Sequence, residues 1–250
     1  MKAMILAAGV GSRLGHITAD TPKPMVPVRG RPVMEHIVNL LRLYEIKDVV
    51  ANLHYLPEMI MNYFGDGSGH GIRLAYSVEE KLLGTAGGVK TNQWFLDETF
   101  LVISGDALTD INLAAFLKFH REKKAVATIA LKEVADVEQF GVVITDETGR
   151  IRNFQEKPKK EEALSNLVNT GIYIFEPEIF EMIPRGEFYD FGRNLFPLLV
   201  ERGEPFYGYP MDGYWCDIGT VETYQKACQD VSAGLVRLYD GDDGAFKTVG

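Results

Sequence analysis

The first half of the chain alternates between two hydrophobic periods. Residues 2–7 form a short apolar run of strand length. Residues 32–44 carry apolar side chains at 33, 34, 37, 38, 40, 41 and 44, one face of a helix with Pro32 at its start. Residues 47–53 read as the next strand, 57–64 as a short helix closed by Gly65, and 72–78 as a third strand. The run FLVIS at 100–104 is continuously apolar, as a central parallel strand buried on both faces requires, and ends at Gly105-Asp106. Residues 112–124 are helical in pattern, with Asp110 and Asn112 placed to cap them, and 125–131 again form a strand. This β-α alternation predicts an α/β fold, a mostly parallel central sheet with helices on both faces.

The second half has a different rhythm. Residues 141–145, 150–157 and 168–175 read as strands joined by short polar turns, with Thr148-Gly149 at a hairpin. Helices are expected at 177–183 and 191–202, strands at 206–211 and 214–218, and a last helix at 221–233. The end, 236–250, is rich in Gly and Asp without periodicity and reads as a tail or the start of a truncated region. No internal repeat is visible. The expected domain is 1–235, with halves meeting near 135. In parallel sheets ligands sit beyond the carboxyl ends of the strands. The turn at Gly9, the loop 79–88 and Asp106 all lie at such ends and should converge on one crevice.

Composition narrows the partners. With 250 residues, 46% hydrophobic and 24% charged, the chain has the make-up of an ordinary globular domain with a sizeable core. A formal net charge of −9 argues against nucleic acid, which calls for a basic face. No apolar run reaches membrane-span length and no signal-peptide pattern precedes the first strand, so no membrane partner and a cytoplasmic location are expected. Cys216 and Cys228 are too few for a disulfide framework, and the five histidines lack zinc-ligand spacing.

Candidate chemistry concentrates in MILAAGVGSRLGHITADTPKPMVP at 4–27. Gly9 and Gly11 remove the Cβ atoms that would keep a ligand from the backbone, and successive peptide N–H groups in such a turn suit phosphate oxygens. Arg13 adds a planar cationic fork. Pro22 and Pro24 bracket Lys23 and should hold it on a stiff, extended stalk. A dinucleotide fingerprint would need a third glycine at 14, where Leu14 stands, and a Walker loop would need Gly-Lys-Ser/Thr. The lone Asp106 after the FLVIS strand is costly to bury unless it meets a cation.

The LAAGVGSRL turn followed by TPKP resembles the signature of the sugar-1-phosphate nucleotidylyltransferases, which make nucleoside-diphosphate sugars. It departs where His16 replaces the usual proline. The resemblance implies a Rossmann-like nucleotidyltransferase fold with a small β-rich sugar-binding part. It also implies a nucleoside triphosphate and a sugar 1-phosphate as substrates, Mg²⁺ as cofactor, and allows a homo-oligomer. The nucleotide would meet Leu6, Ala8, Gly9, Gly11, Ser12, Arg13, Glu79, Gly84 and Thr85. Arg13, Lys23 and Asp106 would be catalytic, and Asp106 and Asp217 would hold Mg²⁺, which takes one or two carboxylates with phosphate oxygens and water completing its octahedron. Gly141, Glu156, Lys157, Asn169 and Thr170 would line the sugar phosphate. Alone, the Glu156-Lys157 pair and the triplet Glu79-Glu80-Lys81 would read as solvated surface charges. The family places its base-reading side chain five residues before the LGTAG glycine, which selects Glu79. A carboxylate only accepts hydrogen bonds and so suits the adjacent N1–H and 2-amino donors of guanine. The expectation is therefore GTP and mannose 1-phosphate giving GDP-mannose, with UTP (or dTTP) and a glucose-type sugar as the alternative. A silent, nucleotide-sugar-sensing relative should lose its charged residues first, whereas Arg13, Lys23, Asp106, Lys157 and Asp217 are all present.

Overall fold

The computed structural model describes residues 1–239, and most of the tail expected at 236–250 lies outside them. In chain order the strands and helices are β1 (Lys2–Leu6), β2 (Pro27–Val28), β3 (Arg31–Pro32), α1 (Val33–Leu43), β4 (Asp48–Leu53), α2 (Pro57–Phe64), β5 (Arg73–Val78) and α3 (Gly84–Thr91). Then come β6 (Phe100–Ser104), β7 (Ala107–Thr109), α4 (Leu113–Lys123), β8 (Ala127–Glu133), β9 (Gly141–Thr145), β10 (Ile151–Glu156) and β11 (Leu167–Phe175). The chain closes with α5 (Phe196–Glu201), β12 (Phe206–Pro210), β13 (Trp215–Asp217) and α6 (Val221–Ser232). The fold class is α/β with a mostly parallel central sheet, as the alternation predicts. No helix among the described residues is long and apolar enough to cross a membrane.

Contacts divide the chain into two units, and not near residue 135. The first comprises Met1–Leu82, Ile103–Ala114 and the chain from Gly213 onward; the second comprises Leu83–Val102 and Ala115–Asp212. In the first unit β1 pairs with β4 and β4 with β5, both in parallel. Helix α1 buries Val33, Met34, Val38, Leu40 and Leu41 completely, and each such side chain contributes about 1.5–3 kcal/mol on leaving water. Leu56 takes a left-handed conformation ahead of Pro57, whose fixed φ opens α2, and Gly65 ends that helix at φ +57°. Near the second unit's sequence start, β6 contributes 100–102 to it and 103–104 to the first.

The second unit is β-rich, as the change of rhythm predicts. β8 pairs antiparallel with β11 and parallel with β12, and β9 pairs antiparallel with β10. The β9–β10 hairpin turns where expected, because the Asp146 carboxylate accepts from the N–H groups of Thr148 and Arg150 while Gly149 supplies φ +82°. Two expected elements differ in kind. Residues 177–182 form a 3₁₀ helix, and the helix expected at 191–202 begins as one π turn, Phe191–Leu195, before α5. Asp190 caps that turn, its Oδ1 accepting from Gly192 and Arg193 N–H.

Candidate active site

The first unit gathers the charged residues of the signature. Gly105 N–H donates to the Leu6 carbonyl at 2.8 Å, which ties the end of β6 to the end of β1. A Cβ on Gly105 would stand 3.0 Å from that carbonyl and 3.2 Å from Pro24, so this glycine lets the lysine-bearing turn sit against the strand ends. β7 and β13 pair antiparallel with Asp217 opposite Ala107, and Ile218 N–H donates to the Asp106 carbonyl at 3.1 Å. That short ladder brings together two aspartates more than a hundred residues apart in sequence. Lys23 Nζ donates to Asp106 Oδ2 and lies 3.5 Å from Asp217 Oδ1.

Lys23 is not on an extended stalk. It opens a 3₁₀ turn, Lys23–Met25, with Val26 N–H returning to its carbonyl and Pro24 inside the turn. The residues on either side of the turn are extended, Pro22 at ψ 143° and Val26 at ψ 127°. Gly11, at φ +69°, lets the lysine stem pass: a Cβ there would stand 3.1 Å from Lys23 Cβ. The phosphate turn and its cation are thus one packed unit. Gly9 has nothing within 4 Å of where its Cβ would be and is exposed, as a backbone approached by a ligand must be. Arg13 is exposed and follows at the start of the 3₁₀ helix Ser12–Thr18. The side chains of Ser12 and His16 lie outside the described residues.

The electrostatics follow from this crowding. Burial works to lower the pKa of Lys23, but Asp106 and Asp217, with the hydrogen bond to Asp106, outweigh it and Arg13, and the ammonium is held above its ordinary range. Burial and the like charge of Asp106 push the Asp217 carboxyl up, against the pull of Lys23 and Arg13. The two carboxylates already accept one cation between them, and that oxygen donor set fits a divalent ion completed by phosphate oxygens. Among the described residues no group of three or more His, Cys, Asp or Glu side chains offers a metal cage.

Glu79 departs from the solvated-cluster pattern. It is 6% exposed, while Glu80 and Lys81 beside it are exposed. Its Oε1 accepts from Asn52 Nδ2 at 2.8 Å, and Asn52 Oδ1 accepts from Ala7 N–H at 3.0 Å. The ends of β1, β4 and β5 are therefore linked through side chains. Ala8, next in the turn, is buried. Asp110 does not cap α4 but accepts from the N–H groups of Tyr214 and Arg237, fixing the approach to β13.

The remaining predicted residues belong to the second unit. Gly84 and Thr85 are not in a loop: they open α3, and a Cβ on Gly84 would meet the Tyr189 carbonyl at 2.6 Å. Gly87 is as tight, 2.7 Å from the Glu187 carbonyl. These glycines let a helix lie against another backbone. The Thr85 hydroxyl donates to Asp190 Oδ2 at 3.0 Å and accepts from Phe191 N–H at 2.7 Å. Replacing it with the isosteric valine strands both partners, and Thr85→Val should lose about 1–3 kcal/mol of stability. Thermal melts would show this, while KM for the triphosphate stays within about twofold. A large rise in KM without loss of stability would instead make the hydroxyl a ligand.

Asp190 was not foreseen from sequence, yet it ties α3 to the π turn. Gly141 faces Phe154, whose ring would be 2.3 Å from a Cβ there, so its bareness is used in packing. Thr170 is buried and donates to the Ala130 carbonyl at 2.7 Å, and Asn169 Oδ1 accepts from Gly171 N–H. Thr170 is thereby tethered to the neighbouring strand through its hydroxyl proton, and Asn169 keeps its amide –NH₂ to offer. Glu156 and Lys157 are exposed at the end of β10, Lys157 at φ +48°. Desolvation raises the Glu156 pKa first; Lys157 pulls it down, Asp190 up and Arg193 down.

This arrangement has relatives. Residues 2–234 match the Nucleotidyl transferase family, and the chain belongs to it. It is 49% identical to a UTP–glucose-1-phosphate uridylyltransferase of Synechocystis, over 92% of this chain and 63% of that protein. It is 36% identical to a mannose-1-phosphate guanylyltransferase of Mycobacterium tuberculosis, over 93% of this chain and 65% of that protein. The chain thus spans somewhat under two thirds of the length of these curated relatives. Among solved structures, HddC from Yersinia pseudotuberculosis complexed with GMP-PN is similar at TM-score 0.79 and 26% identity, covering 92% of this chain and 99% of that one.

Proposed function

We propose that this chain transfers a nucleotidyl group from a nucleoside triphosphate to a sugar 1-phosphate, releasing pyrophosphate. The observation that carries the reading is the Lys23 ammonium set between Asp106 and Asp217 beside the open turn at Gly9. In this reaction an oxygen of the sugar phosphate attacks the α-phosphorus in line, and the bond from that phosphorus to the β-phosphate oxygen breaks. Positioning and charge stabilisation carry such transfers, and no nucleophilic side chain is required. Lys23 would meet charge at the α-phosphate, and Arg13 with the Gly9–Gly11 backbone would hold the outer phosphates. Mg²⁺ on Asp106 and Asp217, when bound, would neutralise charge on the phosphates. Glu156, Lys157 and the Asn169 amide are assigned to the sugar phosphate.

The base is assigned to Glu79, whose carboxylate accepts from Asn52 Nδ2 and can accept from an imino N–H of the base, N3–H of uracil or N1–H of guanine. The relatives favour uracil, with 49% identity to the uridylyltransferase against 36% to the guanylyltransferase. UTP with a glucose-type sugar 1-phosphate is therefore the first reading. GTP with mannose 1-phosphate is the second, favoured by the LGTAG form, which resembles that of the guanylyltransferase branch, and by the GMP-PN complex of the Yersinia protein. Pyrophosphate release from UTP and GTP, each with glucose and mannose 1-phosphates, separates them: the highest kcat/KM is expected for UTP with glucose 1-phosphate. A preference for GTP with mannose 1-phosphate would reverse the order.

A further inference from the structure

Two glycines box in the ring of Phe154 on β10. A Cβ on Gly141 would stand 2.3 Å from that ring, and a Cβ on Gly192 would stand 3.1 Å from it. Gly192 has a still nearer neighbour: Glu156 Oε2 lies 2.7 Å from where its Cβ would be. Side chains alternate along a strand, so residues 154 and 156 share one face of β10, and Gly192 in the π turn lies against both. Its φ is outside the left-handed region, so the turn itself does not call for glycine. Nor can the turn draw back. Gly192 N–H donates to Asp190 Oδ1 at 3.0 Å, the Asp190 carbonyl accepts from Asn194 and Leu195 N–H, and Asp190 Oδ2 accepts from the Thr85 hydroxyl. Phe191 and Phe196 stack with ring centroids 5.5 Å apart, which fixes the turn from its buried side. Glu156, by contrast, is exposed at the end of its strand. A methyl group at 192 would displace the carboxylate, the far end of a flexible side chain, before it displaced the backbone.

We infer that Gly192 is a positioning residue for sugar recognition: lacking a side chain, it seats the Glu156 carboxylate against the π turn, where that group accepts from a hydroxyl of the hexose 1-phosphate. This rests on the reading that Glu156 meets the sugar. A carboxylate only accepts hydrogen bonds, so its partner is a sugar hydroxyl and not the phosphate, which it repels. Where the carboxylate is seated decides which hydroxyl it reaches. A seat present before the sugar arrives also spares part of the cost of ordering a loose glutamate.

The test is a double-mutant cycle between 192 and 156, with folding checked by thermal melts. KM and kcat are read for glucose 1-phosphate at saturating UTP, or for mannose 1-phosphate at saturating GTP if that pair is preferred. Glu156→Ala should raise KM for the sugar phosphate by about tenfold or more, the loss of a hydrogen bond to a charged group. Gly192→Ala should raise it by about fivefold or more, with kcat changed less and KM for the triphosphate within about twofold of wild type. With Glu156→Ala already present the methyl group has no oxygen to displace, and adding Gly192→Ala should change KM by less than about twofold. A merely structural glycine would cost the same in both backgrounds. Such equal costs, or an unchanged KM in folded Gly192→Ala, overturn the inference and leave Glu156 with the sugar. A Gly192→Ala protein that does not fold overturns it as well, because the turn and not the carboxylate would then have yielded. Glu156→Asp keeps the glycine and withdraws the carboxylate by one methylene; KM should rise here too, and an unchanged KM means that the seat is not what the sugar meets. An unchanged KM in Glu156→Ala removes Glu156 from the sugar, the reading beneath the inference, and the inference with it.

Discussion

Lys23→Ala is expected to lower kcat by on the order of 10²–10³-fold, the loss typical of removing one preorganised charged donor at a reacting centre. Lys23 is only 11% exposed and its ammonium is held by two carboxylates, so its position is fixed before substrate arrives. Preorganisation of this kind favours the transition state over the bound triphosphate, and KM should change less than kcat. Arg13→Ala should behave differently. Arg13 is exposed and is assigned to the outer phosphates, so its loss should show mainly in KM for the triphosphate. Steady-state kinetics with triphosphate titration distinguishes the two patterns, and equal, mild losses would return both residues to an ordinary surface loop.

Asp106→Asn and Asp217→Asn are each expected to reduce turnover by about 10²-fold or more, since each removes half of the carboxylate pair assigned to the metal. The geometry gives these variants a second signature. Asp106 is hydrogen-bonded to Lys23 while Asp217 stands 3.5 Å away, so Asp106→Asn removes the stronger partner of the ammonium. Raising Mg²⁺ should recover part of the activity in either variant. The backbone ladder between β7 and β13 does not depend on either side chain, and both proteins should remain folded. Near-normal turnover in a folded variant would falsify the metal assignment.

The elements that sequence foretold are those whose cause is local. The apolar face of α1, the Pro57 and Gly65 signals around α2, and the Asp146 turn between β9 and β10 are written in adjacent residues. Helix α3 was hidden because Gly84, Gly87 and Gly88 are poor helix formers; at Gly84 and Gly87 the reason for glycine is a backbone a hundred residues or more further on. The site shows the same division. Arg13, Lys23, Asp106 and Asp217 were legible as motif residues, and the structure brings them together. Asn52 and Asp190 were not, because the partners that matter, Ala7 and Glu79 for the one and Thr85 for the other, lie 27 to 105 residues away and nothing beside them in sequence marks the pairing. The motif positions of Thr85 and Thr170 do not show that their hydroxyls also hold hydrogen bonds within the fold, which only the folded chain defines.

The most direct measurement follows label from UTP carrying ³²P at the α-phosphate, with glucose 1-phosphate and Mg²⁺. Transfer to the sugar phosphate requires that the label leave UTP in a nucleoside-diphosphate sugar, one for each pyrophosphate released, and that Lys23→Ala suppress both together. Label recovered only as UMP, or retained in UTP with every triphosphate and sugar phosphate tried while the protein is folded, would contradict it.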